Sequence, residues 1–327
     1  MKTNKYISLY EIERKKINKI LSGALRKREP LSLYEPGSYI LNSGGKRLRP
    51  LLVLLSAKAV GGKFSNVYNA AAAVEMLHNF TLVHDDIMDN ADKRRGRLTL
   101  HKKYDHNTAI LTGDSLLSVA YEYLLMDCNG NAKDVISSFT HGLIEVCEGQ
   151  SMDTDFESRK NVALSEYITM IKKKTAAMAE MCCRIGALLG GGTKSQVDSL
   201  SNFGLNLGIA FQIQDDLLDI SADEKEFGKT IGGDLVEGKK TFLFLEALEK
   251  SKGADRRKLL KVIERKGIRR NQVLIYKLIY EKLGVLDDAR REIRAYTHMA
   301  LRSINLLDEE SKKIIKWLAD SLIHRTS

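Results

Sequence analysis

Two five-residue segments stand out for the chemistry their side chains could do. Asp85-Asp86-Ile87-Met88-Asp89 and Asp215-Asp216-Leu217-Leu218-Asp219 both read DDxxD, and each ends an apolar run. On a helix the first and last aspartates of each motif are i and i+4 and share a face. Carboxylates stacked one turn apart repel each other unless a cation sits with them. Mg²⁺ suits such a pair, because it takes hard oxygen ligands and keeps positions for water and substrate phosphate. One such motif alone is a solvated acidic helix end; two, both closing apolar segments, form a functional pair. A third pair, Asp287-Asp288, has Arg291 where the last aspartate would stand, and reads as ordinary surface charge.

A metal site of this kind needs an anion, and the loops offer cations for one. Gly44-Gly45-Lys46-Arg47-Leu48-Arg49-Pro50 sets flexible backbone N–H groups beside three positive side chains. Arg94-Arg95-Gly96 begins five residues past Asp89, and Lys229 and Lys239 flank Gly232-Gly233-Asp234. Guanidinium groups grip phosphate oxygens in bidentate fashion. Singly, each run is a solvated basic loop. His78 lies seven residues before Asp85, on the same helical face, although by itself a histidine there is better explained as a satisfied core residue. No GxxxxGK[ST] phosphate loop occurs in a strand-to-helix setting, so a P-loop nucleotide enzyme is excluded; Cys182, Cys183 and the scattered serines lack a nucleophile setting such as GxSxG and are assigned no chemistry.

The elements that must position these groups read as helices. The only prolines are Pro30, Pro36 and Pro50, so nothing from Val53 onward carries the helix-breaking ring. Apolar periodicity predicts helices over 8–28, 51–60, 67–89, 108–126, 133–152, 165–190, 195–221, 240–250, 255–266, 271–283, 286–307 and 309–324. Residues 31–50, with two prolines and three glycines, read as a loop. So does the polar stretch Asn90–Thr99. The fold class is all-α, with residues 1–327 as a single domain free of repeats and low-complexity linkers.

Charge is distributed unevenly. The net +10 divides into +8 for residues 1–50, −7 for 51–250 and +9 for 251–327. An acidic middle between basic ends is not a nucleic-acid footprint, and it suits cations and carboxylates that together hold a multiply charged anion. Cys128, Cys147, Cys182 and Cys183 form no CxxC pair, which points to a reducing compartment. The N-terminus is too charged for a signal peptide, and no stretch is apolar for the roughly 20 residues of a membrane span. A cytoplasmic location is expected.

Taken in order, GGKRLRP, HDDIMD, RRG, EGQxxD at 148–153, Lys174-Thr175, FQIQDDLLD and GKTIGGDLVEGKKT resemble the motif series of the trans-isoprenyl diphosphate synthases, over residues 40–241. The family usually has proline where this chain has Leu98. The resemblance implies one helical bundle around a central active-site cavity, the isoprenoid synthase type. It implies that Asp85, Asp89 and Asp215 bind three Mg²⁺ ions, with Asp86, Asp216 and Asp219 in or near the shell. Arg94, Lys174, Lys229 and Lys239 would hold the allylic diphosphate (dimethylallyl, geranyl or farnesyl). Lys46, Arg49, His78 and Arg95 would hold isopentenyl diphosphate. Gln150 and Asp153 would act from outside the shell, and Thr175 and Gln212 would turn oxygens toward a developing allylic cation. Homodimers are usual in the family.

A terpene cyclase would carry a different second metal motif, and a squalene- or phytoene-synthase type would have DxxxD. A non-catalytic partner subunit would have lost an acidic motif or a cation. Product length is expected to depend on the helix before Asp85. At about 1.5 Å per residue, Thr81, Phe80 and Leu77 lie roughly 6, 7.5 and 12 Å deeper. Small Thr81 would let the chain pass, and Phe80 is the first bulky ring. This segment resembles archaeal-type geranylgeranyl diphosphate synthases, which implies a twenty-carbon main product with some fifteen-carbon intermediate released; the alternative is the same chemistry with a farnesyl or longer product.

Overall fold

A computed structural model describes residues 2–221 and 231–323. They are helical almost throughout, as the sequence predicts; among them the only strands are β1 (Lys93–Arg94) and β2 (Arg97–Leu98). The helices are α1 (Lys2–Gly23), α2 (Leu31–Leu41), α3 (Leu48–Ala59), α4 (Tyr68–Met88), α5 (Leu100–Lys103), α6 (His106–Met126), α7 (Ala132–Ser158), α8 (Leu164–Ile171), α9 (Ala177–Leu189) and α10 (Lys194–Ser221). They continue with α11 (Gly233–Glu237), α12 (Phe242–Lys250), α13 (Gly253–Arg265), α14 (Val273–Leu283), α15 (Val285–Ser303) and α16 (Glu309–Ile323). The chain divides into two compact units.

The first unit comprises Met1–Thr140, Met181–Leu200 and Leu307–Ile314. Its centre is α4, packed chiefly on α6 and also on α3 and α1. The alanines Ala70–Ala73 are fully buried, and their small side chains let these helices come close. The stretch expected to be a loop, residues 31–50, contains α2. Pro36 sits inside that helix and removes one backbone hydrogen bond. Pro36, Gly37, Ile40 and Leu41 are all buried, at helical spacing, and α2 packs on α6. Burial of that face outweighs the missing bond. The predicted loop Asn90–Thr99 is closed by the β1–β2 hairpin, which turns at Arg95 and Gly96, both at positive φ.

The second unit comprises His141–Glu180, Ser201–Leu306 and Ile315–Ser327. Here α12 is the central element, packed on α8, α13, α14 and α15; Phe242, Leu243, Phe244 and Leu245 are all buried. The predicted helix 165–190 is interrupted by one π turn, Lys172–Ala176, between α8 and α9. Asp288 is not surface charge, contrary to the sequence reading. It is 7% exposed and paired with Lys250 and Arg291, whereas its neighbour Asp287 lies at the surface with Arg290. At the start of α15 these two residues point in different directions, which an identity-only reading cannot resolve.

Candidate active site

In the first unit the acidic motif forms the last turn of α4, with Asp89 as its C-cap. Asp85 is half-buried, Asp86 is buried and Asp89 is exposed. Arg94 Nε donates to Asp86 Oδ1 at 2.7 Å, so the hairpin arginine is anchored by the middle aspartate. Burial pushes the Asp86 carboxyl up, and the Arg94 charge opposes that. Lys102 fastens the same turn by donating to Asn90 Oδ1 at 2.9 Å.

The basic loop separates its three cations. Arg47 turns inward at positive φ, 4% exposed, and donates to Glu75 Oε1 at 2.6 Å, Asn18 Oδ1 at 2.9 Å and the Leu41 carbonyl at 2.7 Å. Arg49 Nη1 lies 3.1 Å from His78 Nε2. The arginine only donates, so Nε2 accepts and Nδ1 carries the hydrogen. Burial, then the charges of Arg49, Arg95, Arg94 and Arg47, hold the imidazole well below its usual range, so it is neutral at pH 7. Its Nδ1 is buried with no protein partner among the described residues. Arg95 donates to the Gly44 carbonyl at 2.5 Å, and a Cβ on Gly45 would stand 2.8 Å from the Arg95 guanidinium. The guanidinium could shift aside, but the φ of +129° at Gly45 is a conformation that L side chains rarely adopt, and that is what calls for glycine. Tyr10 OH holds the Lys46 carbonyl at 2.7 Å. These contacts tie the basic loop to α1 through Tyr10, to α4 through the Arg49–His78 pair and to the β1–β2 turn through Arg95.

Leu77 is fully buried on α4, while Phe80 and Thr81 are half-buried. The Phe80 ring lies against His84, 4.6 Å between centroids. Thr81 OH is tied to the His78 carbonyl at 2.8 Å.

In the second unit Lys174, Thr175, Gln212 and Asp216 line one cavity of about 240 Å³, together with Asp153, Asp234, Lys239 and other residues. Lys174 and Thr175 come from the π turn. A Cβ on Gly149 of α7 would stand 2.2 Å from the Lys174 nitrogen, so the turn lies directly on the helix at that glycine. Lys174 Nζ pairs with Asp153 at 2.5 Å. Thr175 OH donates to Gln212 Oε1 at 3.0 Å, and Gln212 Nε2 donates to Asp216 Oδ1 at 3.1 Å. Asp216 Oδ2 accepts from Tyr167 OH at 2.5 Å and from the Phe242 N–H at 3.0 Å. Asp219 accepts the Gly233 and Asp234 N–H groups, both at 3.2 Å. Burial raises Asp216, Asp219 and Asp234, and the charges of Asp216 and Asp219 push Asp234 further up.

Both motifs offer carboxylate oxygens alone, the donor chemistry that Mg²⁺ prefers. Asp86, Asp216 and Asp219 already accept hydrogen bonds from protein donors. Among the described residues no group of three or more His, Cys, Asp or Glu side chains is arranged to hold an ion by itself. Water and substrate phosphate would complete such a shell. Lys239 pairs with Glu237 at 2.7 Å. Gln150 Oε1 is buried without a protein partner among the described residues. Lys229 lies outside the described residues.

Sequence reasoning missed Tyr167, Asp234 and Lys240. Lys240 is 8% exposed and donates to the Phe156 carbonyl at 2.5 Å, and burial lowers its pKa. Asp234 and Lys240 stood inside a segment already singled out. Tyr167 gave no signal, because its partner Asp216 is 49 residues away.

The polyprenyl synthetase family model matches residues 30–315. The geranylgeranyl diphosphate synthase of Sulfolobus acidocaldarius is 41% identical over 300 residues, covering 90% of this chain and 91% of that protein. The geranylgeranyl pyrophosphate synthase of Geoglobus acetivorans is 40% identical over 317 residues, covering 95% and 96%. The crystal structure of geranylgeranyl pyrophosphate synthetase from Pyrococcus horikoshii superposes with a TM-score of 0.91 at 34% identity, covering 98% of this chain and 99% of that one.

Proposed function

The chain belongs to the polyprenyl synthetase family and is a Mg²⁺-dependent trans-prenyltransferase, and we propose that it condenses isopentenyl diphosphate head to tail with allylic diphosphates to a twenty-carbon main product. The observation that carries this reading is the Thr175–Gln212–Asp216 chain of hydrogen bonds, lining the same cavity as Lys174. A cation-stabilising amide and hydroxyl stand there beside a phosphate-binding ammonium. The product length rests on the α4 segment with Phe80 and on the two archaeal relatives.

Three Mg²⁺ ions, held by Asp85, Asp89 and Asp215, would supply Lewis-acid stabilisation of the departing diphosphate. Asp86, Asp216 and Asp219 orient what surrounds those ligands. Arg94, Lys174, Lys229 and Lys239 hold the allylic diphosphate, and their charge favours its departure. Lys46, Arg49 and Arg95 hold isopentenyl diphosphate, and the neutral His78 can donate its Nδ1 hydrogen. Thr175 and Gln212 present oxygen lone pairs to the allylic cation. The double bond of isopentenyl diphosphate attacks that cation, and a proton leaves from the adduct. No side-chain base is assigned to this step; the released diphosphate can accept the proton.

We assign residues 1–327 to one synthase domain, working in the cytoplasm as a homodimer and without nucleic acid. The family match spans most of the chain. Among the described residues no helix is long and apolar enough to cross a membrane. Exposed Leu111, Leu125 and Met126 on α6 offer an apolar surface for a second copy. The test is incubation of the pure protein with isopentenyl diphosphate, an allylic diphosphate and Mg²⁺, followed by chromatography of the dephosphorylated products. A twenty-carbon alcohol is expected; absence of any elongated product overturns the reading.

A further inference from the structure

The strongest surface feature outside the candidate site is the antiparallel hairpin of α13 and α14. Lys282 Nζ reaches Asp255 Oδ2 at 2.7 Å, and Tyr276 OH donates to the Lys258 carbonyl at 3.3 Å, which pins the two helices together. Residues 252–282 carry 11 Lys/Arg against 3 Asp/Glu, or +8 of the chain's net +10. Arg257, Lys261, Arg269 and Arg270 are exposed and form no salt bridge among the described residues. On the same hairpin Leu274, Ile275 and Leu278 are 65%, 44% and 56% exposed. They stand at i, i+1 and i+4, and so form one apolar stripe on α14.

We propose that this hairpin docks the enzyme peripherally on an anionic phospholipid surface. Cations around an exposed aliphatic stripe are the composition of an interfacial helix: the apolar residues enter the acyl boundary and the cations meet phosphate headgroups. A nucleic acid would satisfy the cations but leave Leu274, Ile275 and Leu278 in water. A second copy of the hairpin would bury the leucines but bring together two surfaces of the same charge. The physiological sense of the proposal rests on the function proposed above, since a long-tailed product would be delivered beside a bilayer. The docking itself does not depend on product length.

The test is flotation of the full chain with phosphatidylcholine vesicles, with and without phosphatidylglycerol. Wild type should partition onto the anionic vesicles at least about tenfold better than onto neutral ones, and raising NaCl should weaken this, as the Debye length shrinks to about 3 Å at 1 M. The double change Leu274→Asp with Leu278→Asp should cut binding at least about tenfold, and so should Arg269→Glu with Arg270→Glu. Both variants should keep the wild-type melting curve and vesicle-free turnover. Equal binding of wild type to neutral and anionic vesicles overturns the proposal. So does undiminished binding of the leucine variant, or a change in its oligomeric mass by light scattering, which would make the stripe a contact between copies. Vesicle-free turnover separately reports the prenyltransferase reading, so the two can fail independently.

Discussion

Tyr167 OH and the Phe242 backbone N–H donate to the same oxygen of Asp216, while Gln212 holds the other. Tyr167 is thus tied, through Asp216, to the orientation of the Gln212 amide. Tyr167→Phe removes one donor from a buried carboxylate, a change worth about 1.5–3 kcal/mol. Urea unfolding should show a loss of that order. Turnover should fall while the KM for isopentenyl diphosphate stays within about twofold, a split typical of an interaction made chiefly in the transition state. A selective rise in KM would place Tyr167 in substrate binding instead.

Asp85→Ala and Asp215→Ala should each lower turnover by several orders of magnitude, and excess Mg²⁺ should not restore it. Near-normal turnover of Asp215→Ala would remove the second motif from the chemistry. The proper silent control is Asp287→Ala, because Asp287 is an exposed residue in a surface pair, worth about 0–1 kcal/mol. Asp288→Ala should instead destabilise by about 1–3 kcal/mol without entering the active site, since it strips Lys250 and Arg291 of a buried partner. Thermal melting and Mg²⁺ titration separate the two effects.

Arg47 and Arg49 are two residues apart and should behave oppositely. Arg47→Ala leaves Glu75 buried and unpaired, at a cost of about 3–5 kcal/mol. Arg49→Ala should leave stability largely intact and raise the KM for isopentenyl diphosphate, as should Lys46→Ala. Arg94→Ala should act mainly on the allylic substrate, and Asp86→Ala should reproduce it by releasing Arg94. Steady-state kinetics with each substrate varied in turn would show whether the two diphosphates have been exchanged.

Phe80→Ala should lengthen the product, and the double change with Leu77→Ala should lengthen it more. Leu77 is fully buried, so the double variant also pays a large-to-small core penalty of about 2–5 kcal/mol and is best assayed well below its melting temperature. Identical product lengths for wild type and Phe80→Ala would place the floor of the pocket elsewhere.

Much of the helical architecture and both acidic motifs were legible in sequence, because apolar periodicity and a repeated DDxxD are local signals. What escaped depends on contacts distant in the chain. Pro36 and Gly37 spell a loop locally, yet packing of α2 on α6 makes them helical. Arg47 resembles its neighbours in type, and only the buried Glu75 separates it from them. Asp288 was misread for the same reason. Tyr167 carries no motif, and its role exists only once Asp216 and Phe242 are brought to it.

The π turn at Lys172–Ala176 holds one residue more than a regular helical turn would. Deleting a single residue there would let α8 and α9 run on as one uninterrupted α-helix with the faces of both flanks still in phase, because the extra residue is taken up within the turn; only the side chains of the turn itself would change direction. Lys174 and Thr175 belong to that turn. A one-residue deletion that keeps both helix content and the packing of the flanking helices would therefore disarm the cavity as thoroughly as replacing both side chains, because it re-aims Lys174 and Thr175 alone.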